Sequence, residues 1–234
     1  MKQAIKQLTP PLIWNLLRKV HLAKGVKTYI SSGTTANDSS MQDLDLYWDP
    51  QMAAILDTWG KDHVWNEIEM FLIGKKGNVL DIACGTGITM EILSKQKDLN
   101  LFGCDISDFL IEKAKQKGIE KKQLAVCDAT DMKIYKNDQF DYSFSIGSLE
   151  HFTEEGIKKF VSEVYRITKY QTFHMMPVSR SGKNEGWMKT LQSFHNNSVE
   201  WWIENFKSKY ENVYVVNSGW NDAISVGKWF VFSK

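Results

Sequence analysis

The sequence predicts an α/β fold, an open and mainly parallel sheet covered by helices, with a helical extension in front of it. Two observations carry this. The stretch Asn78–Gly87, N-V-L-D-I-A-C-G-T-G, reads as a strand that stops abruptly in a glycine turn. From there to the C-terminal region the chain alternates strand-like and helix-like segments, the pattern of parallel strands joined by right-handed crossovers. At 234 residues, 43% of them hydrophobic, the chain is long enough to bury a full core. The expected division is 1–74, a helical extension or lid, and 75–234, the sheet domain.

Each element has a local reason. Pro10 and Pro11 suit a helix start, and Leu12, Ile13, Leu16, Leu17 and Val20 make an apolar stripe beside Trp14. Arg18, Lys19, Lys24 and Lys27 crowd its far end, so this helix is expected to cap the domain or cover its site. A basic amphipathic helix also suits peripheral contact with an anionic membrane surface. Residues 31–40, S-S-G-T-T-A-N-D-S-S, have no periodicity and read as a loop. Asp49 is a good N-cap for Pro50, and helical pieces run to about Phe71 with a break near Gly60.

In the first strand Val79, Leu80, Ile82 and Ala83 are apolar, as burial on both faces requires. Gly85 and Gly87 allow the tight turn, and a helix is expected over Ile88–Lys95. The second strand, Leu99–Cys104, ends in Asp105, and a helix follows from near Ser107 to Gly118. The third strand is Gln123–Cys127 and the fourth Phe140–Ile146. Thr153, Glu154 and Glu155 open a helix reaching Ile167, with acids suited to its first turn. The fifth strand, Thr172–Met176, is expected to stop at Pro177. A polar, basic segment, Pro177–Trp187, leaves it. A helix over 197–208 and the strands Asn212–Val216 and Val226–Phe232, a hairpin with a loop of about nine residues, complete the chain.

Composition and motif searches exclude several classes. The net charge of +1, from 29 basic and 28 acidic residues, gives no field that would steer the chain toward nucleic acid. No apolar run approaches the roughly 20 residues that span a bilayer, and the N-terminus shows no signal peptide. Cys84, Cys104 and Cys127, each at the end of a strand, lack zinc spacing and are expected to be reduced and buried in a cytoplasmic protein. A dinucleotide G-x-G-x-x-G fails at Met90, and the phosphate P-loop, the G-x-S-x-G elbow and H-E-x-x-H are absent.

The string from Asn78 to Gly87, with Asp81 ahead of the turn, resembles the nucleotide-binding signature of the class I S-adenosyl-L-methionine (SAM) methyltransferases. The resemblance covers about residues 75–234. It implies a Rossmann-like, seven-stranded, mostly parallel sheet whose last strand is antiparallel. It also implies SAM as cofactor and S-adenosyl-L-homocysteine as product. Asp81, Ala83, Cys84, Gly85, Thr86 and Gly87 would form the cofactor turn. Asp105, twenty residues after Gly85, closes the second strand where an acidic residue accepts both ribose hydroxyls, with Ile106 beside it. Asp128 matches the family position that contacts the adenine amino group, with Ala129 next to it. Ile146, Gly147, Ser148 and His151, in S-I-G-S-L-E-H-F, match the segment that packs against the methionine part. The [DNS]-P-P-[YFW] of amino-methylating DNA enzymes is replaced here by I-G-S-L.

Methyl transfer from a sulfonium is an in-line displacement, so the protein contributes alignment and exclusion of water. A hydroxyl acceptor also needs a base. Of the five histidines, His21, His63, His151, His174 and His195, the first choice is His151, followed by His174 and His195. Arg180 and Lys183 suit an anionic acceptor, and Tyr47 and Trp48 suit an aromatic lid. Glu150 beside His151 suggests a divalent metal, but no third ligand is evident and no metal is expected. The opening L-T-P-P-L-I-W-N-L-L-R-K resembles the start of methyltransferases found with surface-polysaccharide biosynthesis. That resemblance implies transfer to oxygen on a small or saccharide-like acceptor. The alternatives are N- or O-methylation of another small metabolite, or a SAM-binding regulator without turnover.

Overall fold

The structure, a computed structural model, describes residues 42–60 and 64–234. The helix expected from Pro10, the loop 31–40, His21 and His63 lie outside the described residues.

Strand β1 (Gly77–Ile82) is an interior strand of a seven-stranded sheet. Its neighbours are β2 (Leu99–Asp105) and β4 (Phe140–Ile146), both parallel to it. The short β3 (Leu124–Val126) flanks β2, and β5 (Thr168–Ser179) flanks β4. β9 (Ser225–Ser233) runs antiparallel to β5, and β8 (Val213–Asn221) closes the edge in the order β3-β2-β1-β4-β5-β9-β8. A small hairpin, β6 (Trp187–Met188) with β7 (Phe194–His195), stands apart. The sheet is Rossmann-like and mostly parallel, with one antiparallel strand.

Helices cover both faces, which is why β1 is apolar at successive positions. On one face Leu80, Ile82, Phe230 and Phe232 meet Ile157, Phe160 and Val164 of α5 (Glu154–Ile167) and Trp202 and Phe206 of α6 (Val199–Phe206). On the other, Val79, Leu101, Phe144 and Trp229 meet Val64, Trp65, Ile68 and Leu72 of α2 (Val64–Leu72), beside α3 (Ile88–Leu93) and α4 (Asp108–Gln116). Each such side chain is worth about 1.5–3 kcal/mol on full burial. Glu67 of α2 accepts from Trp229 Nε1 and from the Gly219 backbone N–H, both at 2.6 Å. α2, ahead of residue 74, packs its apolar face into the core of the sheet. α1 (Pro50–Leu56) begins as expected, with Asp49 Oδ1 accepting from Gln51 N–H at 2.8 Å.

Two local readings are corrected. Pro177 does not end β5. Beyond Met175 the strand has lost β4 as a neighbour and pairs with β9 alone, so a residue without an N–H is tolerated there. The β8–β9 connection is also shorter than expected. It spans Asp222–Ile224, where Asp222 Oδ1 accepts from the N–H groups of Ile224 (2.9 Å) and Ser225 (2.7 Å). The Ser218–Trp220 stretch is absorbed into β8 as an irregularity in its register. Among the described residues no helix is long and apolar enough to cross a membrane.

Candidate functional site

At the carboxyl end of β1 the backbone turns through left-handed conformations at Ala83 (φ 58°), Gly85 (55°) and Gly87 (79°). The two glycines do different work. A side chain at Gly85 would point into open space, with Leu56 3.9 Å away. A Cβ at Gly87 would lie 2.3 Å from Ile119 Cδ1, so Gly87 serves the packing of the turn against the end of α4. Asp105, at the end of β2, fixes the turn from the side. Its Oδ2 accepts from Gly85 N–H and its Oδ1 from Ser107 N–H, each at 2.9 Å.

The turn floors a cavity of about 280 Å³. Asp81, Ala83, Cys84, Gly85 and Thr86 line it, as do Asp105 and Ile106, Asp128 and Ala129, and Ile146, Gly147 and Ser148. These positions are far apart in sequence and come together because parallel strands end on the same edge of the sheet. Gly87 does not line the cavity. Asp81 is buried and its Oδ2 has no partner. Burial, and then the nearby Asp105 carboxylate, hold its pKa well above the usual carboxylate range. Burial also raises the pKa of Asp105, against the lowering effect of its backbone hydrogen bonds.

The segment ahead of the sheet reaches over this floor. Tyr47, in a short 3-10 turn (Leu44–Trp48), lines the cavity, and its carbonyl accepts from Ser107 Oγ at 2.7 Å. Its hydroxyl accepts from Gln192 Nε2 at 3.5 Å, so the β6–β7 hairpin meets the N-terminal segment across the opening. Asp57 accepts from Thr86 Oγ1 and from Lys117 Nζ, the latter at 2.7 Å. Trp48 turns away instead, donating from Nε1 to Asp108 Oδ1 at 2.8 Å.

None of the three histidines chosen as bases lines the cavity. His151 Nδ1 donates to the Ser193 carbonyl at 2.9 Å, and burial pushes its pKa down to about 4. His174 is fully buried in β5, with Nδ1 2.8 Å from Ser145 Oγ and Nε2 2.7 Å from Thr172 Oγ1. Burial lowers its pKa to about 3. His195 is packed between Trp187 and Trp201, with ring centroids 4.7 and 4.9 Å away and neither nitrogen bonded. A strand-end position in sequence favoured His151 and His174, and a place beyond the strand-five loop favoured His195, but none of the three faces the cavity.

The cations assigned to an anionic acceptor also lie elsewhere. Arg180 donates from Nε to the Asp222 carbonyl (2.8 Å) and from Nη2 to Asn221 Oδ1 (2.7 Å), on the β8–β9 hairpin. Lys183 is exposed on its loop and does not line the cavity. Among the described residues, the charged groups that line it are Asp81, Asp105, Asp128, Glu155 and one cation, Lys159, whose Nζ is 3.6 Å from Glu155.

Sequence reasoning missed Trp59, Gln192 and the setting of Glu150. Trp59 and Gln192 line the cavity but stand outside any motif. Glu150, in a 3-10 turn (Leu149–His151), is buried with Oε2 unpartnered. Its Oε1 is 3.8 Å from His151 Nε2, and burial pushes its pKa up to about 8. Gly147 (φ 64°) explains its surroundings. A Cβ there would meet Trp59 Cη2 at 2.9 Å and Glu150 Oε1 at 3.5 Å. No group of three or more metal-ligating side chains occurs among the described residues.

Residues 79–171 match the sequence family described as "Methyltransferase domain". Ajmaline N-methyltransferase of Rauvolfia serpentina is 34% identical over 98 residues, covering 40% of this chain. The match spans 33% of that relative's length. Among solved structures, the fold is shared with a chain of the Haloferax volcanii complex between the Trm112 methyltransferase activator and a proposed methyltransferase. That match has a TM-score of 0.64 and 14% identity over 82% of this chain and 98% of that one. It is also shared with Haemonchus contortus phosphoethanolamine N-methyltransferase 2, solved with phosphomonomethylethanolamine and S-adenosylhomocysteine. Here the TM-score is 0.57, with 18% identity over 75% of this chain and 52% of that one.

Proposed function

We propose that this protein transfers the methyl group of SAM to a small-molecule acceptor. The observation that carries the reading is the convergence of Asp81, Gly85, Asp105 and Asp128 on one cavity, inside the stretch that matches the methyltransferase family.

The residues fit the cofactor. A carboxylate already oriented by Gly85 and Ser107, as Asp105 is, keeps lone pairs to accept from a ribose diol. The unpartnered Asp81 oxygen and the excess of lining carboxylates suit a ligand carrying a sulfonium and an ammonium. Asp128 and Ala129 would hold the adenine end, and Ile146, Gly147 and Ser148 the methionine end. SAM supplies a methyl group activated by positive sulfur. The chain's own work is to fix the approach line and exclude water, through Tyr47, Trp59 and Gln192 around the opening.

An acceptor nitrogen is supported by the N-methyltransferase names of two similar proteins. The oxygen acceptor of saccharide type draws on residues 8–19, outside the described residues, and among the described lining residues the one cation for an anionic sugar is Lys159. The test is mass-spectrometric detection of S-adenosylhomocysteine from SAM, with separate pools of metabolites, sugar nucleotides and glycans, proteins and nucleic acids. Turnover in the metabolite pool is expected. Turnover in the glycan pool would establish the saccharide reading. Bound SAM with silence in every pool would leave a regulator, and absence of SAM binding would overturn the proposal.

A further inference from the structure

We infer that Asp57 is a positioning residue for the cofactor turn. It ties the wall built by residues 42–60 to Thr86, so that a bound cofactor and a seated wall hold each other in place. This deepens the methyl-transfer reading and rests on it for the ligand.

Asp57 stands where α1 ends. Its N–H closes the helix on the Ala53 carbonyl at 3.1 Å, and its side chain reaches the turn after β1. Thr86, between the two glycines of that turn, is only 3% exposed. Its hydroxyl donates to Asp57 Oδ1 and accepts from Lys117 Nζ at 2.8 Å, while Lys117 also donates to Asp57 Oδ1 at 2.7 Å. Lys117 is the C-cap of α4, and Ile119, two residues on, is the side chain that a Cβ at Gly87 would strike. Three elements remote in sequence thus meet at one hydroxyl.

The ion pair is not the strong part of this cluster. The Lys117 and Asp57 side chains are 26% and 36% exposed, and a pair open to water is screened. The buried member decides the strength. A hydroxyl held away from water needs its partners, and a carboxylate is a stronger acceptor than a neutral oxygen. Thr86 is also the member that lines the cavity, whereas Asp57 and Lys117 do not. Asp57 therefore acts on the ligand site through Thr86.

The rest of the segment is tied to the other cofactor loop. The Tyr47 carbonyl accepts from Ser107 Oγ at 2.7 Å, and Trp48 Nε1 donates to Asp108 Oδ1 at 2.8 Å. Ser107 is the residue whose N–H orients Asp105. Around these attachments the segment presents Leu44, Tyr47, Leu56 and Trp59 to the cavity. Leu56, next to Asp57, is the side chain nearest the open space over Gly85, and the Trp59 ring stands against Gly147. The loops that support this wall are the loops that hold the cofactor.

Coupling of this kind is reciprocal. A ligand that fixes the turn and Asp105 also fixes the points to which residues 42–60 are tied. A seated wall in turn covers the ligand and slows its escape.

The experiment uses the full chain with SAM and S-adenosylhomocysteine as probes. Wild type, D57A, D57N, K117M, T86V, T86S and a variant carrying both D57A and T86V are compared. Stopped-flow tryptophan fluorescence reads the dissociation rate, and hydrogen–deuterium exchange is followed with and without SAM. D57A and T86V should each raise the dissociation rate roughly 10-fold. The double variant should be no worse than either single one, and T86S, which keeps the hydroxyl, should stay near wild type. SAM should slow exchange in residues 42–60 of the wild type as well as in the turn. In D57A it should slow exchange in the turn alone. A purely structural Asp57 would raise exchange in residues 42–60 by the same factor with and without SAM, and that result overturns the inference. An unchanged dissociation rate in D57A, or additive effects in the double variant, overturns it too. D57N and K117M each weaken one link, so they decide the matter if D57A fails to fold: wild-type dissociation in both overturns the inference. A wild type that binds neither probe overturns the methyl-transfer reading, and the inference falls with it.

Discussion

Glu150 Oε1 lies 3.8 Å from His151 Nε2, and burial acts on the two groups in opposite senses. Burial raises the carboxyl pKa to about 8 and lowers the imidazole pKa to about 4, so adjacent residues are driven in opposite senses and both to the neutral form.

Stability should reflect this at both ends of the pH range. The folded Glu150 holds its proton more tightly than the unfolded one. Its contribution is full below the unfolded value near 4.5 and is lost as pH rises toward 8. E150Q should therefore gain stability over wild type between pH 5 and pH 9, by up to a few kcal/mol at about 1.4 kcal/mol per pKa unit. Urea denaturation at the two pH values checks the sign. For His151 the unfolded state takes up a proton first, so stability falls as pH drops from 6.5 toward 4.

Asp105→Ala should weaken SAM binding. The variant loses a ribose acceptor and also the anchor of Gly85 and Ser107. Hydrogen bonds to a charged group contribute about 1.5–3 kcal/mol each, so the Kd should rise roughly 10- to 100-fold. Calorimetric titration reads it, and an unchanged Kd would remove Asp105 from the site.

Gly147→Ala should damage the cavity from behind. Residue 147 is left-handed, and the new Cβ would sit 2.9 Å from the Trp59 ring. Backbone strain and overpacking together should cost about 2–4 kcal/mol, seen as a lower thermal midpoint. Trp59 fluorescence should shift in the same variant.

His174→Ala should cost stability and spare chemistry. It opens space in the core and strips Ser145 and Thr172 of a partner. A loss of about 2–4 kcal/mol is expected, with turnover per folded molecule unchanged. Arg180→Ala should likewise spare SAM affinity, because its contacts are to Asn221 and Asp222.

What the sequence made legible was local. The bounds of β4, the cap Asp49 and the glycine turn follow from period, capping and backbone freedom within a few residues. The strand ends at Asp81, Asp105, Asp128 and Gly147 could be brought together because parallel topology puts them on one edge. Pro177 misled because its tolerance depends on which neighbour β5 has lost. The direction in which His151, His174 and His195 turn depends on packing partners 29 to 42 residues away, or on aromatic rings of another element. Trp59 and Gln192 carry no local signal at all. Their place at the cavity is a property of the folded chain.

The hydroxyls beneath His174 have a consequence for assembly. Ser143 faces Thr172 and Ser145 faces His174 across β4 and β5, and Thr168 Oγ1 joins Ser143 Oγ at 2.7 Å. A slip of one residue between these strands would turn their side chains to opposite faces and strand every one of these polar groups in hydrocarbon. The network thus acts as a key for strand alignment. It penalises misregistered pairings more than it rewards the native one, so the two strands meet in a single way and the edge that carries Gly147 and Glu150 is set in one place.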